Sequence, residues 1–381
     1  MVQPQRMLVT VKVGIPSEVK NNEYRVAITP AGVHELSRNG HEVYVEVDAG
    51  VGSSITNEDY ATAGAKILPT AAEVWATGDL ILKVKEPIAS EYDLMREGQT
   101  LFTYLHLAAN KALTEELVKR KVTSIAYETV ELPDRQLPLL APMSEVAGRL
   151  APQVGAATLM AAGGGRGVLM GGVSGVQAAK VVVIGAGVSG MNAAAIALGM
   201  QAEVLLLDRD VSKLRNADAI YQGHCQTITS NAYEIERAIA DADLVIGAVL
   251  VAGAKAPTLI TNEQVSRMKP GSVLVDISID QGGCFEDSHA TTHTDPTFKV
   301  HNSVFYCVAN MPGAVPHTST YALTNVTLPY AVELANHGWR KALQADPALA
   351  LGLNTHDGQI IYGPVAEAFG FQHVSLDEVL R

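Results

Sequence analysis

The run Val181-Val182-Val183-Ile184, the turn Gly185-Ala186-Gly187-Val188-Ser189-Gly190 and the Ala-rich stretch after it constrain the fold more than any other part of the chain. An apolar run that breaks at Gly-x-Gly-x-x-Gly and resumes as a helix starts a βαβ unit, whose next strand must lie parallel to the first. The glycine pattern alone is weak evidence. It becomes specific when an acid closes the following strand, and Asp208 closes Val204-Leu205-Leu206-Leu207, 18 residues after Gly190. Gly185 permits the tight turn, Gly187 lets backbone approach a pyrophosphate, and Gly190 lets helix and strand pack closely. The helix N-terminus adds N–H donors and partial positive charge. The Asp208 carboxylate would accept from a ribose 2′-hydroxyl and repel a 2′-phosphate, which favours NAD. Arg209 beside it keeps NADP as an alternative, and a packing turn without nucleotide is another.

The chain has 381 residues, 48% of them hydrophobic, which is enough for two to three domains with full cores. A net charge of −12 without a run of five or six like charges argues against a nucleic-acid binder. Cys225, Cys284 and Cys307 are odd in number and widely spaced, so reduced thiols in a cytoplasmic protein are expected rather than a disulfide framework. Met1 to Val11 lacks the pattern of a secretory signal. Val181 to Ala202 carries no charge over 22 residues, but its four glycines, Asn192 and Gln201 fit strand, turn and helix better than a membrane span.

Short β-rich runs alternate with helical patterns along both halves, the mark of parallel sheets with crossover helices. Strands are expected at Val11–Ile15, Glu42–Val47, Asp79–Val84, Thr100–Leu105 and Val122–Ala126, then at Val181–Ile184, Val204–Asp208, Leu244–Ala248, Val273–Ile277 and Val304–Val308. Thr29-Pro30 supplies an N-cap and first-turn proline for a helix ending at Gly40, after which His41 reads as a surface residue. Asn57 opens another helix. Three prolines between Leu132 and Pro142 mark a boundary, a helix follows to about Met160, and Gly163 to Gly175 reads as a mobile or closely packed loop.

Ligands of open α/β sheets sit outside the carboxyl ends of the strands. Arg25 follows the first expected strand, Lys85 ends another, and His106 ends Leu101-Phe102-Thr103-Tyr104-Leu105. An Arg and a Lys converging with a titratable His would hold a small carboxylate and exchange protons with it. Taken singly, each has a plainer reading as a surface ion pair, a solvated strand end or a capping histidine. Asp280, in Ile279-Asp280-Gln281-Gly282-Gly283, would order a water or stabilise an imidazolium, or simply form a turn. Glu333 and His337, four apart on an expected helix, read as a divalent-ion pair or as a plain helix-surface pair.

The chain resembles the alanine dehydrogenase family. The resemblance rests on Gly14-Ile15-Pro16, Lys20-Asn21-Asn22-Glu23-Tyr24-Arg25-Val26-Ala27, Leu82-Lys83-Val84-Lys85-Glu86-Pro87, Ala141-Pro142-Met143-Ser144-Glu145-Val146-Ala147-Gly148, Asp276-Ile277-Ser278-Ile279-Asp280-Gln281-Gly282-Gly283 and Val308-Ala309-Asn310-Met311-Pro312. It implies two Rossmann-like, doubly wound α/β domains with a cleft between them: residues 1–138 plus 317–381 for substrate, and 139–316 for NAD. It implies reversible oxidative deamination of L-alanine to pyruvate and ammonia, with Arg25 and Lys85 on the substrate and His106 and Asp280 as the catalytic pair. Cofactor contacts are implied at Ser144, Asp208, Lys213, Ser230, Val249, Leu250, Asn310 and Met311, and magnesium at Glu333 and His337. A homohexamer with no membrane partner is also implied. His289 stands where the resemblance leads one to expect an Arg near the cofactor. A soluble transhydrogenase subunit and a non-catalytic NAD-sensing module are the rival readings.

Overall fold

The computed structural model describes residues 10–249 and 256–381. Along the chain the first strands are β1 (Lys12–Ile15), β2 (Glu42–Glu46), β3 (Lys66–Leu68), β4 (Leu80–Leu82), β5 (Thr100–Thr103) and β6 (Thr123–Ala126). The middle of the chain gives β7 (Lys180–Ile184), β8 (Glu203–Asp208), β9 (Gln226–Thr229), β10 (Leu244–Gly247), β11 (Val273–Asp276), β12 (Thr297–Val300) and β13 (Ser303–Tyr306). The hairpin β14 (Leu353–His356) and β15 (Gln359–Ile360) closes the series. Two compact units result, Met1–Pro142 with Val315–Arg381, and Met143–Ala314.

The first unit is built on a sheet of order β15-β14-β6-β5-β4-β1-β2-β3. From β6 through β3 every pairing is parallel, whereas β14 joins β6 antiparallel. Strands β4, β5 and β6 are buried on both faces, so they read as continuous runs rather than alternations. Strand β2 alternates, with Val43 and Val45 inward and Glu42, Tyr44 and Glu46 half exposed. The helix Pro30–Arg38 starts as expected: the Thr29 side chain accepts from Gly32 N–H and Pro30 sits in the first turn. For the next helix, Asn57–Ala63, the cap is Thr56 in a reciprocal box with Asp59. The long helix Pro316–Ala345 is broken at Gly338, whose φ of 71° and ψ of 154° are not helical.

The second unit holds a sheet of order β12-β13-β11-β10-β7-β8-β9, parallel except for the edge strand β12. Val182, Ile184, Val245, Leu274 and Phe305 form its buried centre. The glycine passage after Ala161–Gly163 is mostly exposed, and only some of its glycines are closely packed. A Cβ on Gly165 would lie 2.3 Å from the Thr158 carbonyl oxygen, and one on Gly172 would lie 2.5 Å from that of Val176.

The sequence reading misses β3, β9, β12 and the closing hairpin, which are short strands at or near sheet edges. It is also wrong about His41, which is 4% exposed. Its Nδ1 accepts from the Val11 N–H at 3.3 Å and its Nε2 lies 2.9 Å from Asn336 Oδ1. Contacts from a neighbouring strand and a distant helix bury a residue that follows a turn.

Candidate active site

In the first sheet the strand order runs outward in both directions from the β1/β4 pair, so the carboxyl ends of these two strands flank the switch point. Arg25 lies between β1 and the helix Pro30–Arg38, Lys85 lies just past β4, and His106 lies just past β5.

Arg25 is fully buried. Its Nε donates to Glu23 Oε1 at 2.7 Å and its NH2 to Oε2 at 2.6 Å, fixing the plane of the guanidinium. Burial opposes its charge, but Glu23 more than compensates and raises its pKa. Lys85 is half-buried, and among the described residues no carboxylate lies within 4.0 Å of its ammonium. Its backbone is held from below: Glu18 accepts from the Val84 and Lys85 N–H groups at 2.6 and 3.3 Å and from the buried Lys83 ammonium at 3.2 Å. Glu91 flanks Lys83 on another side at 2.9 Å. This pairing ties the loop after β1 to the loop after β4.

His106 adopts a left-handed backbone, with φ of 50° and ψ of 39°. Its Nδ1 lies 3.8 Å from Glu86 Oε2, while Lys20 reaches the other Glu86 oxygen at 2.5 Å. Desolvation lowers the imidazole pKa and Lys85 adds to that, but Glu128 and Glu86 outweigh both and raise it above the ordinary histidine value. Tyr104 is buried, its ring 5.9 Å from that of His106 and its hydroxyl donating to the Leu139 carbonyl at 2.5 Å. Arg25, Lys85 and His106 thus share one network of charges. Glu18 takes the Lys85 N–H and acts on Arg25, and Lys85 acts on His106. The supporting carboxylates Glu18, Glu86 and Glu128 escaped the sequence reading, although Glu128 stands at a strand carboxyl end.

The second sheet has its switch point between β7 and β10. Gly185 has φ of +108°, and a Cβ on it would lie 2.5 Å from the Ala248 carbonyl oxygen. A Cβ on Gly190 would lie 1.7 Å from the Gly185 carbonyl oxygen, whereas one on Gly187 meets nothing within 4 Å among the described residues. Asp208 ends β8: its Oδ2 accepts from Ala186 N–H at 2.7 Å, its Oδ1 from Asp210 N–H at 2.8 Å, and Lys213 lies 3.8 Å away. Glycine turn, helix N-terminus and Asp208 fit a dinucleotide. Ser230 follows β9 and donates its N–H to the Asp208 carbonyl. Val249 follows β10, and its carbonyl accepts from the Ser278 hydroxyl at 2.7 Å. Leu250 lies outside the described residues. Ser144 is half-buried in the first turn of the helix Ala141–Leu159, Asn310 has φ of 64°, and Met311 is buried.

Asp280 is exposed on the turn Ile277–Gln281, and the turn is anchored by the fully buried Asp276. Asp276 accepts from the N–H groups of Ser278 and Cys284 and from the Ser288 hydroxyl. His289 stacks on Phe298 with ring centroids 3.7 Å apart. Glu333 and His337 face each other at 3.4 Å on an exposed helix surface, and no third carboxylate, thiol or imidazole joins them among the described residues. One carboxylate beside an imidazole is not the oxygen-donor set that magnesium prefers, so this pair is a poor fit for that ion.

Two doubly wound sheets, one of them carrying the glycine turn and its closing acid, define a two-domain α/β protein with a nucleotide-binding fold. Sequence comparison narrows this class. The model of "Alanine dehydrogenase/PNT, N-terminal domain" matches residues 14–147, and that of "Alanine dehydrogenase/PNT, C-terminal domain" matches residues 151–363. The chain belongs to the alanine dehydrogenase/PNT family. An alanine dehydrogenase of Mycobacterium tuberculosis (strain CDC 1551 / Oshkosh) is 63% identical over 94% of this chain and 97% of its own length. A solved L-alanine dehydrogenase superposes with a TM-score of 0.92 at 50% identity, covering 94% of this chain and 99% of that one. A transhydrogenase from Sinorhizobium meliloti superposes at 0.79 with 27% identity, over 92% and 99% of the two chains.

Proposed function

We propose that the chain catalyses the reversible oxidative deamination of L-alanine, in which alanine, water and NAD give pyruvate, ammonia and NADH. Relatives up to 63% identical are named alanine dehydrogenase, and the observation that carries the reading in this chain is the group after β4 and β5. There a half-buried lysine, with no carboxylate within 4.0 Å of its ammonium among the described residues, sits near a histidine whose Nδ1 lies 3.8 Å from Glu86.

When bound, NAD accepts the hydride that leaves the alanine Cα. Gly187 and the helix N-terminus would take its pyrophosphate, and Asp208 the adenosine ribose. Ser144, Lys213, Ser230, Val249, Leu250, Asn310 and Met311 would complete its contacts. Lys85 binds the substrate anion, and Arg25, its guanidinium plane set by Glu23, supplies a second cationic group. Loss of hydride from the neutral amine leaves an iminium ion, water adds to its carbon with loss of a proton, and the carbinolamine, protonated on nitrogen, gives up its hydroxyl proton as ammonia departs. His106 takes the proton from the adding water and returns one to the leaving nitrogen, while Asp280 orients that water. A soluble homohexamer in the cytoplasm is the expected setting, and no described helix is long and apolar enough to cross a membrane.

The test is NADH formation by the purified chain with L-alanine and NAD. Tight NAD binding without turnover of alanine would leave only a sensing module or a transhydrogenase subunit. Sedimentation velocity tests the hexamer separately.

A further inference from the structure

Left-handed backbone is unfavourable for an L-residue with a side chain, and it persists where surrounding contacts enforce it. His106 is such a residue, and it opens the short turn Leu107–Ala109. The contacts that enforce it come from the next strand. Strands β5 and β6 pair in parallel with Thr103 beside Ala126, and the same register carried two residues further sets Leu105 beside Glu128. Glu128 is half-buried in the turn Tyr127–Thr129. Its Oε1 accepts from the His106 N–H at 2.6 Å and from the Leu105 N–H at 3.1 Å, and its Oε2 lies 3.2 Å from the same Leu105 nitrogen. One carboxylate thus satisfies two consecutive amides at the point where the chain turns left-handed. A short charge-assisted hydrogen bond of this kind is stronger than a neutral one.

We propose that Glu128 is the positioning residue for His106, fixing the direction of the imidazole by clamping the two amides that precede its Cα. This rests on the reading of His106 as the proton-transfer group. The groups that face the imidazole are Glu128 from the turn after β6, Glu86 and Lys85 from the loop after β4, and Tyr104 from its own strand. Lys20 acts through its pairing with Glu86. Of the two carboxylates, Glu86 meets the ring itself and Glu128 meets the backbone. Their removal should therefore have different signatures.

The experiment measures kcat for alanine deamination against pH, with a direct NADH titration, in Glu128→Gln, Glu128→Ala, His106→Ala and the double variant His106→Ala/Glu128→Ala. Glu128→Gln keeps an acceptor oxygen and loses the charge. The acid limb of kcat, where the imidazole must be neutral to take a proton, should move down by about half to one pH unit. Glu128→Ala also frees the turn, and its plateau kcat should fall about tenfold or more with the NADH affinity unchanged. In the His106→Ala background the same change should cost less than about twofold, because the residue it acts through is gone. An unmoved limb in Glu128→Gln, or an undiminished further loss in the double variant, overturns the proposal. If Glu128→Ala does not fold, the limb in Glu128→Gln decides. Near-normal turnover in His106→Ala would instead sink the reading of His106, which separates the two failures.

Discussion

The carboxylate of Asp208 accepts the N–H of Ala186 at 2.7 Å, so the acid at the end of β8 is hydrogen-bonded into the glycine turn that starts the preceding helix, Val188–Gly199. The negative charge of the proposed ribose site is therefore held in place by the backbone of the proposed pyrophosphate site. A 2′-phosphate would meet a carboxylate that is not free to swing away. NAD should be preferred over NADP, and Asp208→Asn should reduce the ratio of kcat/KM for the two cofactors by about tenfold or more, as expected for loss of a charge-assisted contact. Equal efficiency with NAD and NADP in the unaltered chain would remove the role given to Asp208.

Lys85 offers a cation without a carboxylate partner among the described residues, on a backbone braced by Glu18. Lys85→Ala should lower kcat/KM for pyruvate by about 10- to 100-fold while the NADH dissociation constant stays within twofold. Steady-state kinetics in the amination direction, paired with fluorescence titration of NADH, make the comparison. Unchanged pyruvate kinetics would place Lys85 outside the site.

General acid–base help contributes about 10²–10⁴-fold, and His106→Ala should lose kcat on that order with NADH binding retained. His34, exposed on the helix Pro30–Arg38, is the matching control, and its alanine variant should turn over normally. His41 is unsuitable as a control because it is buried between Val11 and Asn336. His41→Ala should leave kcat alone and cost about 1–3 kcal/mol of stability, read as a lowered thermal midpoint.

Glu86 tests the electrostatics from the acid side. Burial pushes its carboxyl up, but His106 and Lys20 prevail and hold it down at about 2. A carboxylate with a depressed folded-state pKa stabilises the fold above its unfolded pKa and loses that contribution as pH falls through the folded value. Stability should therefore decline between about pH 5 and pH 2 by an amount on the order of 2–3 kcal/mol traceable to this group. Glu86→Gln should flatten that part of a urea-midpoint profile. An identical profile in the variant would show that the pairing contributes nothing.

The glycine turn, the Thr29-Pro30 helix start and the buried parallel strands could be read from the sequence because each is a local constraint: a backbone conformation, a cap or an apolar run. Strand β9, Gln226–Thr229, could not, since its polar residues suit a sheet edge and carry no apolar run. His41 misled because its burial depends on Asn336, far along the chain. The catalytic candidates Arg25, Lys85 and His106 were legible from their places at strand carboxyl ends. Their supports Glu18 and Glu128 were not, because a carboxylate that serves backbone amides 22 to 67 positions away leaves no spacing pattern.

The three glycines of the turn are not equivalent. Gly185 is dictated by its own torsion angle, and Gly190 by a carbonyl oxygen that leaves no room for a methyl group. Gly187 has an ordinary extended backbone, with φ of −80°, and among the described residues no atom lies within 4 Å of a Cβ added to it. These residues place no steric demand on that position, so a demand seen there would come from a bound group. In a mutational scan, Gly185 and Gly190 would register as folding defects, while Gly187 would behave as a probe of occupancy alone. Tolerance at this one position therefore measures the ligand against the scaffold, on a chain whose architecture is undisturbed.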